Sequence, residues 1–257
     1  MKTTNAVCAA SAPKGWRPYR LINRIPESRA VTSFYFKAAD GKPLPAYRAG
    51  QYMAVKMPGI DHPLKYIISC SANSVLLRLT VETDELPSVT GVNGFFDRLK
   101  IGDTVELSEP MGDFVIDPLE SPVVLIAEGL GVSALVAMLS ELSTEQPMRS
   151  VDTFYSTVNG VFFPLRDDLK AIAKRLPNGS LTVFYTDPLN TETAGVDYTL
   201  AGEITIGSIG SACLNPEADY YICGGLKFIE ELSKGLARLG TKASRIHMLC
   251  IDGDDNS

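Results

Sequence analysis

The sequence predicts two domains in series behind a small polar tail at residues 1–14: an antiparallel β-barrel over residues 15–118 and an α/β domain with a parallel sheet over residues 119–257. Three observations predict it. Short alternating strands separated by turn residues fill the first part, an unbroken apolar run opens the second, and strands then alternate with helices to the end. Short strands at such even spacing suit a closed or nearly closed barrel. Alternating β and α elements imply a parallel sheet covered by helices.

In the first part, residues 20–25 and 31–36 alternate as half-buried strands do, and residues 51–57, 65–70, 76–82 and 104–107 continue the series. Asp40-Gly41, Ala49-Gly50, Pro58-Gly59, Gly102-Asp103 and Met111-Gly112-Asp113 supply the turns. One helix is predicted at residues 92–99, where Phe95, Phe96 and Leu99 fall on one face.

The rhythm changes between Asp117 and Ser121. Val123-Val124-Leu125-Ile126-Ala127 is the mark of a strand covered on both faces. A glycine turn and an apolar helix at residues 133–142 follow. Strands are then predicted at 150–156, 180–185, 220–223 and 245–250, with helices at 165–175 and 227–239. Asp187-Pro188 opens a long polar loop to about Gly210, with no element assigned.

Composition excludes several classes of function. The 257 residues are 45% hydrophobic and 21% charged, enough apolar material for two cores. The net charge of −6 and the lack of any basic run argue against nucleic acid, which needs clustered Lys and Arg. The longest apolar stretches, residues 122–127 and 134–139, are too short to span a bilayer, and residues 1–12 do not read as a signal peptide. Five scattered cysteines (Cys8, Cys70, Cys213, Cys223, Cys250) read as reduced thiols of a cytoplasmic protein. With only His62 and His247 as histidines, neither a metal nor a haem is expected.

Candidate site residues lie at the ends of predicted strands. Glu128-Gly129-Leu130-Gly131-Val132 sits between a buried strand and a helix, where glycines allow close approach to a pyrophosphate. A purely structural tight turn is the other reading. Glu128 would repel a pyrophosphate unless it caps the turn or bonds a ribose hydroxyl. Cys223, Gly224 and Gly225 end another parallel strand, so they reach the crevice where ligands bind in open α/β sheets. Cys223 reads equally as a small buried hydrophobe. In the barrel, Tyr66 either lies flat on a planar ligand or fills the barrel mouth. Glu82 and Thr83 end a neighbouring strand, and Gly91, Val92 and Asn93 open the barrel helix, whose N–H groups suit an anion.

The order of these landmarks resembles the ferredoxin-NADP⁺ reductase superfamily, in particular the reductase portion of flavohaemoglobins. The resemblance runs from about Gly15 to Gly253. It includes Gly15-Trp16-Arg17-Pro18-Tyr19, Tyr47-Arg48-Ala49-Gly50-Gln51-Tyr52, Gly102-Asp103-Thr104-Val105, Pro110-Met111-Gly112-Asp113-Phe114, the turn at Gly129, the Tyr221-Ile222-Cys223-Gly224-Gly225 segment and Ile246-His247. No globin and no four-cysteine iron–sulfur pattern is read in these residues. The resemblance implies a path from NADH or NADPH to FAD and onward to an electron-acceptor protein, with the cofactors carrying the chemistry. It also implies flavin contacts at Lys65, Tyr66, Ile67, Ile68, Val81, Thr83, Gly91, Val92 and Asn93. Nicotinamide-nucleotide contacts are implied at Gly129, Gly131, Val132, Cys223, Gly224 and Gly225, with Tyr66 and Cys223 at the reacting centre.

The chain departs from the family's Arg-x-Tyr-Ser flavin motif, which reads Leu64-Lys65-Tyr66-Ile67 here. Lys65 is one place off and points to the other face of its strand. Glu82 or Thr83 stands where a basic residue is usual, Asn93 replaces a Ser or Thr, Ala134 replaces a proline, and Leu249-Cys250-Ile251 replaces the terminal Glu-x-Phe. Leucine in place of the phosphate-binding arginine removes about 1.5–3 kcal/mol of hydrogen bonding. Two functions are therefore expected to compete. One is an NAD(P)H-dependent flavin oxidoreductase with an unknown acceptor. The other is a non-catalytic relative whose crevice takes another ligand or a partner protein. NADH and NADPH are not distinguished, Ser156 and Thr157 being the candidates for the adenosine ribose end.

Overall fold

Strand alternation in the barrel part and buried runs in the remainder produce two six-stranded sheets in the computed structural model, which describes residues 13–59, 62–83, 91–210 and 215–251. Cys8, Cys213 and most of the N-terminal tail lie outside the described residues, as do the side chains of Gly91, Val92 and Asn93.

The first sheet holds β1 (Arg17–Ser28), β2 (Val31–Ala38), β3 (Tyr52–Val55), β4 (Leu64–Ile67), β5 (Leu77–Glu82) and β6 (Thr104–Leu107) in the order β4-β3-β6-β1-β2-β5. Its named pairings are antiparallel. The two edges meet through an antiparallel bridge between Ile68 and Leu79, so the sheet closes on itself as a barrel. Inward residues of every strand fill it, among them Leu21, Phe34, Phe36, Met53, Ile68, Leu79 and Leu107. Helix α1 (Gly91–Arg98) plugs one end with Phe96, whose ring meets Phe34 at 5.0 Å and Tyr66 at 5.1 Å.

The second sheet is parallel and holds β7 (Val123–Glu128), β8 (Val151–Thr157), β9 (Gly179–Tyr185), β10 (Leu200–Ala201), β11 (Asp219–Gly224) and β12 (Ile246–Cys250) in the order β10-β9-β8-β7-β11-β12. β7 is buried on both faces: Val123, Leu125 and Ala127 join one core cluster, Val124 and Ile126 the other. Each such side chain contributes about 1.5–3 kcal/mol by leaving water. Helix α2 (Val132–Glu145) is apolar nearly all round and covers the first face with α3 (Arg166–Ala173). Helix α5 (Leu226–Arg238) covers the second, burying Ile229, Leu232 and Leu236 on one stripe and pairing Lys234 with Glu230 at 2.6 Å outside. The loop left unassigned from sequence contains β10 and one helical turn, α4 (Ile206–Ile209), closed by a capping box between Thr205 and Ser208.

Barrel and α/β half are joined by specific contacts. Gly50 has φ +93°, and a methyl group on it would overlap the carbonyl oxygen of Phe114 and meet Met138 Cε at 2.6 Å. The neighbouring Ala49 N–H donates to Glu141 Oε2 on α2 at 2.8 Å. Arg149 is buried and donates to the carbonyls of Ser121 at 2.7 Å and Asp117 at 2.9 Å, which ties the connecting segment to the sheet. Farther round, Arg78 on β5 reaches Asp168 on α3 at 2.5 Å, and the Arg29 N–H donates to the Val161 carbonyl at 3.2 Å.

Two outcomes follow from this interface. Gly50→Ala strains a left-handed residue and drives a methyl into fixed backbone, so it costs about 3 kcal/mol or more. Gly41→Ala, at φ +73° with nothing within 4 Å, costs about 1 kcal/mol. Thermal unfolding of the two variants separates them, and equal midpoints reject the close approach at Gly50. The second outcome concerns Glu141, whose carboxyl pKa is pushed above the ordinary glutamate value by burial, partly offset by the Ala49 N–H and by Arg48. The folded state then holds that proton to higher pH than the unfolded chain does. This contribution is complete below the unfolded pKa and is lost as pH rises through the folded one. Urea unfolding between about pH 4 and 7 should show Glu141→Gln flattening this fall in stability.

Candidate functional site

The second sheet reverses its winding at β7: the chain leaves toward β8 on one side and returns to β11 on the other. The crevice beyond the carboxyl ends of such neighbouring strands is where open α/β sheets bind ligands. A single 3-10 turn, Gly129–Gly131, leads from β7 into α2 at this point. Gly129 has φ +52° and open space where a Cβ would stand, so its α-carbon is free for close approach. Its carbonyl accepts a hydrogen bond from the Tyr155 hydroxyl at 3.0 Å. Gly131 permits close packing, since a Cβ there would lie 2.5 Å from the Cys223 carbonyl oxygen and 2.9 Å from Ala127 Cβ. Val132 is fully buried, and its N–H is directed back to the Gly129 and Leu130 carbonyls.

Across the switch point, the Glu128 carboxylate accepts from the Gly225 N–H at 3.0 Å, and Gly225 is the N-cap of α5. The carboxylate thus reaches the N-cap of the helix after β11, and no side-chain cap bond joins it to the Gly129 turn. Gly224 makes room for this side chain: a Cβ there would meet Glu128 Cγ at 2.8 Å and Phe228 Cδ1 at 2.7 Å. Cys223 is completely buried in the core cluster on the α2 face. Burial pushes its thiol pKa up, with Cys250 and Glu128 adding to the effect, which favours the neutral thiol over the thiolate.

On the barrel side, β4 pairs with β3 so that Leu64 and Tyr66 pack on the barrel core while Ile67 packs on the α/β core that contains Ala127 and Cys223. Tyr66 is half-buried, meets Phe96 edge-on and has its phenol pKa raised by burial. Lys65 is exposed and sits 5.6 Å over the Tyr52 ring. Ile68 and Val81 are buried in the barrel core, leaving only backbone for any ligand. The Thr83 hydroxyl faces Thr32 at 3.3 Å, and its N–H donates to the Ala30 carbonyl at 2.8 Å. Glu82 is exposed, and α1 begins at Gly91.

Sequence reasoning missed Arg78. It is 7% exposed, donates from Nε to the Ser69 carbonyl at 3.1 Å and pairs with Asp168, which makes it the cation nearest the seam between the halves in this part of β5. A lone arginine within Leu77-Arg78-Leu79-Thr80-Val81 was the available signal; nothing in the sequence names its partner. The residues fit a nicotinamide nucleotide at the Gly129 turn, where an open α-carbon stands at the sheet's carboxyl edge. They fit the ring of a flavin at Tyr66, but Leu64 and Ile67 offer its phosphates and polar edge no donor side chain. A groove of about 440 Å³ between α4 and α5, lined by Ile206, Phe228, Leu232 and Gly235, lies on the other face of the sheet from α2.

Comparison with known proteins agrees with this architecture. The family model for the oxidoreductase NAD-binding domain matches residues 125–234. A flavohemoprotein from Chromobacterium violaceum is 33% identical over 252 residues, covering 95% of this chain and 62% of that protein. One from Bacillus subtilis is 32% identical over 240 residues, covering 91% of this chain and 59% of its own. The chain thus spans about three-fifths of the length of the curated relatives it matches. Among solved structures, the flavohem-like FAD/NAD binding domain of nitric oxide dioxygenase from Vibrio cholerae superposes with a TM-score of 0.79 at 28% identity, covering 91% of this chain and 98% of that one. Sheet order, switch-point turn and likeness along nearly the whole sequence lead to one conclusion: the chain has the two-domain fold of the ferredoxin-NADP⁺ reductase type and is similar over nearly its whole length to part of the flavohemoproteins.

Proposed function

We propose that this protein is an NAD(P)H-dependent flavin oxidoreductase that passes electrons to a separate acceptor. The observation that supports the reading is the position of β4: Ile67 lies against the core of the switch-point strands, which docks the barrel strand that carries Tyr66 on the nucleotide sheet. Hydride transfer needs two rings in near-contact, and a barrel strand docked on a nucleotide sheet supplies that placement. A flavin bound there would take a hydride from the reduced nicotinamide and release its electrons onward.

The chain's own residues would do the following. Tyr66 offers a ring that Phe96 holds edge-on, so little freedom is lost on stacking. Gly129 admits the nucleotide backbone at the carboxyl edge of β7, and Tyr155 holds the turn's carbonyl. Ile67 and buried Cys223 exclude water from the seam and contribute no proton. Affinity for flavin then rests on stacking and backbone N–H groups rather than on a charged clamp.

Leu64 and Ile67 also support a second reading, a non-catalytic relative, because neither side chain has a polar atom to bond a flavin. One titration separates the two. The purified full chain is mixed with FAD, its visible spectrum is recorded, and NADH or NADPH is added without oxygen. The reductase reading expects a shifted flavin spectrum that bleaches with at least one nucleotide; no shift and no bleaching reject it. Tyr66→Ala should weaken FAD binding about tenfold, while Tyr66→Phe keeps it near the starting value. Equal affinities for both variants remove the stacking role.

A further inference from the structure

The elements that frame Tyr66 offer what a flavin ring needs and little of what its phosphates need. The Tyr66 ring stands edge-on to Phe96 at 5.1 Å, with Leu64 on the barrel core and Ile67 on the α/β core beside it. That is an apolar seat for a planar ligand. β4, β5 and α1 carry one cation each. Lys65 is exposed on the opposite side of β4 from Tyr66 and lies 5.6 Å over the Tyr52 ring. Arg78 is buried and held by Ser69 and Asp168. Arg98 stands in the last turn of α1, away from the end that β5 leads into. Carboxylates gather at that nearer end. Glu82 is exposed where β5 stops, and the sequence from there to Gly91 adds Asp84 and Glu85 with no Lys or Arg.

Resting on the reductase reading above, we propose that flavin is a diffusible substrate of this protein, recognised by its ring and not by its phosphates. Tight retention of a flavin nucleotide draws on charge-assisted bonds to phosphate, and the cations of these three elements are turned away, engaged or distant. A phosphate brought beside Glu82, Asp84 and Glu85 is instead repelled. Riboflavin presents the same ring without that penalty, so it binds at least as well as FAD. Binding through the ring alone is weak, and weak binding is chiefly fast dissociation. One turnover then balances as follows: a hydride passes from the reduced nicotinamide to the oxidised flavin, a proton from water completes the reduced flavin, and both products leave. The departing flavin carries the two electrons to the acceptor, which has no need to dock on this chain.

The test is calorimetry of the full chain with riboflavin, FMN and FAD, followed by gel filtration of each mixture. Riboflavin should bind at least as tightly as FAD, and all three flavins should separate from the protein on the column. Glu82→Lys, an exposed exchange checked for folding by its melting curve, should tighten FMN and FAD several-fold and leave riboflavin unchanged. Added salt should erase that gain. FAD bound about tenfold more tightly than riboflavin, FAD retained on the column, or an unaltered FAD isotherm in the variant overturns the proposal. Bleaching of each mixture by NADH or NADPH without oxygen is read separately. If FAD is tightly held and bleaches, the diffusible-substrate inference falls and the reductase reading stands. If none of the three flavins binds or bleaches, the reductase reading falls and takes this inference with it.

Discussion

The seating of the loop ahead of β3 on helix α2 is the constraint that the remaining geometry inherits. Gly50 brings backbone against the Phe114 carbonyl and Met138, and Glu141 takes the adjacent Ala49 N–H. A charged acceptor on a backbone N–H contributes roughly 1.5–3 kcal/mol when enclosed, less where water reaches it. Its greater effect is positional. β3 follows the seated loop directly, β4 pairs with β3 from Tyr52 to Val55, and that pairing carries Ile67 onto the core around Cys223. A second attachment, Arg78 to Asp168, stops the barrel turning about the first. Asp168 is half-exposed, so this pair orients more than it stabilises.

Much of the fold was legible because its strands repeat simple periods. The barrel strands alternate and are punctuated by Gly41, Gly50, Gly59 and Gly102, all at positive φ, so the turns announced themselves. β7 announced itself as five consecutive apolar residues. β10 did not, being two exposed residues long, and α4 is a single turn held by a local capping box, too short for any period. The site was less legible for a different reason. Its defining contacts join residues far apart in sequence: Glu128 with Gly225, Arg78 with Asp168, Ile67 with the α/β core. Glu128 was visible as a charge in an awkward place, with two roles open to it; only the register of β11 beside β7 decides which N–H it meets. Gly224 read as a residue at the crevice; its missing side chain also leaves room for Glu128 and Phe228, which no local pattern announces.

The charges near the seam explain the unusual character of the crevice. Arg78 is engaged by Ser69 and Asp168, Arg149 by the carbonyls of the connecting segment, and Lys65 lies over Tyr52. With these three cations engaged, attraction for a dinucleotide draws the more on backbone dipoles and ring faces. Such forces depend on close fit, and they weaken little with salt compared with exposed ion pairs.

The segment joining the two sheets has a consequence for how the protein can be divided. Phe114 and Ile116 precede β7 yet belong to the same apolar cluster as Leu125, Leu135 and Tyr221, and Ala49 from the barrel side joins them. Arg149 clasps the stretch that follows, at Asp117 and Ser121. The hydrophobic interior of the nucleotide half is thus completed by residues borrowed from ahead of its first strand. A fragment beginning at β7 would expose the bare side of that interior, so the two sheets form separate layers of hydrogen bonding but a shared cooperative unit.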